Sequence, residues 1–342
     1  MIRSKTVILM SVGCTLGGRM GNHMFQMAAA AGYAQQYGLC FNIPDTWTHD
    51  EAFPATKRLS RTRRLKHVMC IPDAVFDRSY YELPDPGNRC KSTDIVLDGD
   101  FQSHRYFHDC EKTIRFMFTF NASIRKASLD RMSRLKSTKY RLCAVHLRLK
   151  DYTNSMNCLI IGSLDRKYYW DAMCRVHHHY SEKVLFVFFS DDRSACESFV
   201  KTWGLSDCFN CIMSPNAANS GYDDMADMGH YDALVISNST FAWWCAWLNN
   251  TPNKYVVAPW PWFTCPILRQ PDIIPSSWHI EDSYLHKNSA FFVSFLVCIV
   301  VIAVLISVFL LLLVGLGLAT CGTCPSVSEH SGDERCKSTI YV

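Results

Sequence analysis

The stretch CAVHLRLKDY, residues 143–152, ends an apolar, strand-like run on His146, Arg148 and Asp151. Three ionisable groups at the exit of a buried strand do nothing for a core and suit the recognition of a polar or anionic ligand. A second such place is SNSTFAWWCAWL, residues 237–248, where Ser239 or Thr240 can cap the helix that follows. The first turn of that helix offers backbone N–H groups to an anion, and a diphosphate is the natural size match. The plainer reading is an ordinary cap on a helix whose Trp243, Trp244 and Trp247 fill the core. A third place, GGRMGN at 17–22, spaces Gly17, Gly18 and Gly21 unlike the dinucleotide fingerprint, so it signals a close approach of backbone or, equally, a plain tight turn. Asp191 and Asp192 imitate a metal-binding D-x-D motif, but they are adjacent at a strand exit, and no metal is expected there.

These groups need strands that end together. The apolar runs at 7–12, 142–147, 184–190, 233–237 and 254–259 read as strands, most of them without alternation, as in a parallel sheet covered on both faces. Helices are expected from Asn22 to a stop at Gly38, over 165–179 and over 194–203. Asn22 is equally suited to cap the first of these. The alternation is that of an α/β fold, in which ligands bind at the carboxyl ends of the strands.

With 49% hydrophobic residues the chain can bury a core, and its formal net charge of +4 is too small a bias to argue for nucleic acid. The locally basic run at 57–67 reads as a solvated face. Residues 290–319 carry no charge over a length that exceeds the ~20 residues needed to cross a bilayer, so a single C-terminal transmembrane helix is expected, followed by a short tail at 320–342. The N-terminal apolar run is expected to be a first strand rather than a signal peptide, which predicts a tail anchor with the globular part facing the cytosol; a lumenal placement is the alternative. Sequons stand at Asn121, Asn238 and Asn249, and the lone C-x-x-C at Cys208 and Cys211 has no second pair for zinc.

The segments GGRMGNHMFQMAAAAGYAQQYGL, DGDFQSHRYF, HLRLKDY, FFSDD, MADMGHYDALVISNSTFAWWCAWLN and KYVVAPWPWF, in this order, resemble the successive motifs of the α-1,2-fucosyltransferases, glycosyltransferase family 11. The resemblance spans about residues 7–263. It implies a GT-B-like architecture of two Rossmann-like domains facing a cleft, an acceptor-side domain over 1–140 and a GDP-fucose-binding domain over 141–285. It also implies inverting, metal-independent transfer of L-fucose from GDP-fucose to the 2-hydroxyl of a galactose-terminated glycan. His146, Arg148 and Asp151 match the family's H-x-R-x-x-D signature, which gives Arg148 the grip on the diphosphate. The same resemblance places Ser239, Thr240 and Phe241 on that diphosphate, and Asp223 or Asp224 on the guanine. Arg19, Gly21 and Asn22 would face the sugar nucleotide. Three departures stand out: Leu149 replaces the usual second Arg and is followed by Lys150, Asp100 replaces an aromatic residue, and His23 stands where many members have Gln. A membrane-anchored glycan- or nucleotide-sugar-binding protein without turnover, and transfer of another GDP-sugar, are the competing readings. His23, Asp98 and Asp100 are equal candidates for a general base.

Overall fold

The structure is a computed structural model that describes residues 11–59, 68–73, 79–87, 94–150, 160–180, 183–216, 220–265, 268, 271–285, 301–302 and 304–307. The chain divides into two compact units, residues 1–290 and 291–342. In the second unit the described residues, 301–302 and 304–307, are helical and their apolar side chains are exposed. Among the described residues no helix is long and apolar enough to cross a membrane; most of the span expected at 290–319 lies outside them.

The first unit holds two parallel sheets. One contains β1 (Ser11–Cys14), β2 (Cys40–Phe41), β3 (Val68–Pro72) and β4 (Asp94–Asp98) in the order β2-β1-β4-β3. The other contains β5 (Arg141–Leu147), β6 (Val184–Ser190), β7 (Asn210–Met213), β8 (Ala233–Val235), β9 (Tyr255–Trp260) and β10 (His279–Asp282), ordered β10-β9-β8-β5-β6-β7. All pairings in both sheets are parallel. The second sheet has the doubly wound order, whose switch point lies between its first and fourth strands, here β5 and β8. Burial along all of β6, and along β5 after Arg141, explains their long apolar runs. The strand expected at 7–12 is seen as Ser11–Cys14, and its first four residues lie outside the described ones.

Helix α1 (Met20–Tyr37) starts three residues earlier than the Asn22 cap reading requires, because Arg19 is the extended residue before it. Asn22 therefore lies inside the first turn, and its side chain is used elsewhere. The C-terminal stop at Gly38 is as expected, with φ at 64° and its N–H closing the last turn. Helices α2 (Glu111–Met117) and α3 (Ala122–Lys136) follow β4. In the second sheet α4 (Arg166–His179) links β5 to β6, and α5 (Arg193–Thr202) with the short α6 (Leu205–Cys208) links β6 to β7. Asp165 and Asp192 cap α4 and α5 with their carboxylates. Helices α7 (Gly221–Met228) and α8 (Thr240–Leu248) flank β8.

The larger apolar cluster runs from Val12 through Phe25 of α1 to Trp243, Trp244 and Trp247 of α8, so the two sheets share a core. Phe25 packs at 4.5 Å and 5.0 Å from the rings of Trp243 and Trp244. These tryptophans are core, as the plainer sequence reading had it.

Arg131 of α3 reaches α7 and pairs with Asp227 at 2.7 Å and Asp223 at 2.9 Å. Asp227 is fully buried, and Arg131→Met strands its charge; such losses cost about 3–5 kcal/mol. Denaturant titration of Arg131→Met is expected to show a correspondingly lower midpoint. An unchanged midpoint would mean that the helices hold without the pair.

The sequon asparagines are structural. Asn238 Nδ2 donates to the carbonyls of Ile161, Gly162 and Trp262, and Asn249 Nδ2 donates to those of Met228 and Tyr231. Asn121 caps α3 by accepting from Ile124 N while donating to the Glu51 carbonyl. A glycan on Asn238 or Asn249 requires losing these buried bonds.

Candidate active site

A cavity of about 650 Å³ opens where the carboxyl ends of both sheets meet. The turn after β1 supplies Arg19, Gly21 and Asn22; the exit of β4 supplies Asp100 and Gln102. His146, Arg148 and Lys150 enter from the exit of β5, Ser190 and Asp191 from β6, and Ser239, Thr240 and Phe241 from the start of α8. Asp224 reaches it from α7. The cavity thus brings together the expected site residues with two exceptions. Asp151 lies outside the described residues. Asp223 does not line the cavity; it is held by Arg131.

Two helix starts converge on this space. A methyl group on Gly21 would lie 2.6 Å from Thr240 Oγ1 and 2.7 Å from Phe241 N, so only a glycine lets α1 approach α8 this closely. The contact is locked by Trp244 Nε1 donating to the Gly21 carbonyl at 2.9 Å and by Thr240 Oγ1 donating to Asn22 Oδ1 at 2.7 Å. Neither Arg19 nor Ser239 caps its helix through its side chain. The partial positive charge of both termini therefore bears on the cavity, which Arg19, Arg148 and Lys150 also line.

Arg148 lies 3.0 Å from Asp191 Oδ2, while Asp191 Oδ1 accepts from the backbone N–H of Leu149 at 2.8 Å. Sequence reading missed this pairing, which explains why a carboxylate stands at the exit of β6. Asp192 is used as the cap of α5. Among the described residues no group of His, Cys, Asp and Glu is arranged to hold a metal ion.

The departure at Leu149 changes in meaning. Its side chain is buried in the second apolar cluster, with Val145, Leu147 and Tyr168, so an arginine's absence there removes no charge from the cavity. Lys150 lines the cavity instead.

His146 is buried, with Nδ1 at 2.8 Å from Ser237 Oγ and its ring 5.4 Å from that of Phe241. Burial, reinforced by Arg148 and opposed by Asp191, lowers its pKa to about 3, so the imidazole is neutral at physiological pH. Asp224 accepts from Asn216 Nδ2 at 2.9 Å, and burial raises its carboxyl to about 6. Of the three candidate bases, Asp100 lines the cavity. Asp98 accepts from Thr15 at 2.6 Å and His23 bonds to His49 at 3.3 Å; neither lines it.

A sequence model described as Glycosyl transferase family 11 matches residues 5–281. An alpha-1,2-colitosyltransferase of Escherichia coli is 29% identical over 206 residues, covering 59% of this chain and 67% of that protein. The O-antigen biosynthesis glycosyltransferase WbnK of Escherichia coli is 31% identical over 244 residues, covering 67% and 77%. Among solved structures, an Arabidopsis thaliana FUT1 variant in complex with GDP aligns with a TM-score of 0.44 at 11% identity, covering 70% of this chain and 68% of that one. POFUT1 in complex with GDP-fucose aligns at 0.43 and 12%, covering 75% and 98%. The match over most of the globular chain, with the motifs gathered around one cavity, means that this protein belongs to glycosyl transferase family 11.

Proposed function

We propose that the protein transfers L-fucose from GDP-fucose to the 2-hydroxyl of a galactose residue in a glycan, with inversion and without a metal. The observation that carries this reading is the meeting of two helix N-termini with Arg19, Arg148 and Lys150 in one cavity. Transfer through an oxocarbenium-like sugar builds negative charge on the departing GDP. Fixed cations and backbone N–H groups that face that charge lower the barrier without a nucleophilic side chain. In this proposal Arg148, held by Asp191, and the start of α8 grip the diphosphate, while Asp224 accepts from the guanine N–H groups. Asp100 takes the proton of the attacking hydroxyl. A single-pass membrane anchor in the uncharged stretch 290–319, with the globular part facing the cytosol, belongs to the same proposal.

One observation favours a second reading of the donor: the similarity to a colitosyltransferase, colitose being fucose without its 3-hydroxyl. Incubating the purified chain with GDP-fucose or GDP-colitose and galactose-terminated acceptors separates the two. Turnover of GDP-fucose, undiminished by chelator, is expected. Turnover of GDP-colitose alone would move the donor assignment, and loss of activity in chelator restored by Mn²⁺ would overturn metal independence.

A further inference from the structure

Ser237 is assigned no role by the motifs or by the proposed reaction, yet it touches a cavity-lining ring. The register of β5 against β8 ends at Val145 and Val235, and just beyond it, at the switch point, the Ser237 side chain reaches the His146 ring. Their side chains are 3% and 1% exposed, and Nδ1 stands 2.8 Å from Oγ. The ring is held further by Phe241, and the His146 carbonyl accepts from Tyr169 Oη at 3.2 Å.

A neutral imidazole has one donor and one acceptor nitrogen, and the partner of one fixes the role of the other. Among the described residues Ser237 Oγ has no hydrogen-bond partner besides His146. If Oγ accepted from Nδ1–H, its own proton would be buried without an acceptor, and a buried donor left unmade is costly. If Oγ donates, its proton is satisfied. No described residue hydrogen-bonds Nε2, and His146 lines the cavity, so Nε2 is the nitrogen left for a ligand.

We propose that the Ser237 hydroxyl donates to His146 Nδ1 and so fixes the Nε2–H tautomer, which presents an uncharged hydrogen-bond donor to an oxygen of the bound diphosphate. The ligand in this assignment rests on the proposed nucleotide-sugar site; the tautomer does not. Ser237 is a positioning residue, acting through His146. A neutral donor suits a leaving group already faced by Arg148, because it adds a hydrogen bond without adding a buried charge that would itself need solvation.

The test is ¹⁵N NMR of the full chain labelled at histidine, with the His146 signals assigned by their loss in His146→Asn. In the absence of nucleotide, His146 is expected to show an unprotonated Nδ1 and a protonated Nε2 between pH 6 and 8. Ser237→Thr should keep this pattern. Ser237→Ala should give mixed tautomers and a kcat lowered by roughly tenfold, the effect of about one hydrogen bond, with acceptor KM unchanged. A protonated Nδ1 in the unaltered protein, or an unchanged tautomer in Ser237→Ala, overturns the proposal, and the first of these needs no variant to fold. Correct tautomers in a chain that turns over no sugar nucleotide would leave the role of Ser237 standing and remove the proposed function.

Discussion

Arg148→Ala is expected to lower the rate of transfer by at least 10²–10³-fold, the usual cost of removing one preorganised group that meets developing charge. GDP binding should weaken with it, because in the proposed function the guanidinium meets the diphosphate in the ground state as well. The substitution also leaves Asp191, whose side chain is only 18% exposed, without its cation. Some loss of stability therefore accompanies the loss of rate. Arg148→Lys separates the two effects: it keeps a charge near Asp191 but loses the planar fork that fits a phosphate. Recovered stability with most of the rate still missing is the expected outcome. A lysine variant as active as the unaltered protein would reduce the role of Arg148 to simple charge.

Gly21→Ala should be nearly as damaging for a different reason. The added methyl group would meet Thr240 Oγ1 and the backbone of Thr240 and Phe241 at 2.6–2.7 Å, and backbone has little room to yield. Helices α1 and α8 would have to separate, with loss of the Trp244 and Thr240 hydrogen bonds that close the contact. Overpacking of this kind costs about 1–3 kcal/mol. Because the displaced atoms are the N-terminal turns that face the cavity, GDP affinity should fall by at least tenfold, measured by calorimetry. Gly17→Ala is the matched control: its added carbon meets only the side-chain amide of Gln26, at 3.8 Å, and GDP affinity should not change. Equal affinity in both variants would show that the junction of the two helices does not shape the site.

Much of this arrangement is legible in the sequence because it is written in local pattern. Near-continuous apolar runs mark β5, β6, β8 and β9, and polar residues at their exits mark the ends that bind. Other features depend on contacts between distant residues. Asn22 reads as a cap, but helix α1 begins at Met20 and the Asn22 side chain accepts from Thr240, 218 residues away. Asp223 and Asp224 are indistinguishable in sequence. On a helix they point about 100° apart, and tertiary packing turns one towards Arg131 and the other towards the cavity. Leu149 looks like a lost arginine until the rotation of the chain after β5 shows its side chain entering the core. The partnerships of Arg148 with Asp191 and of His146 with Ser237 join neighbouring parallel strands far apart in the chain, and no periodicity signals them. Gln102, 5% exposed and lining the cavity, carries no signal of its own in the sequence, since a glutamine after an apolar strand is equally suited to a solvated turn.

In the proposed function this cavity moves L-fucose onto the 2-hydroxyl of galactose. The direct measurement incubates the full chain with GDP-fucose and a panel of galactose-terminated glycans, and determines the linkage and anomeric configuration of the product by NMR, with Arg148→Ala alongside. The prediction is an α-linked fucose on the galactose 2-hydroxyl, formed by the unaltered protein and absent with the variant. Fucose on any other hydroxyl, or GDP-fucose that binds and stays unconverted with every acceptor, would contradict it.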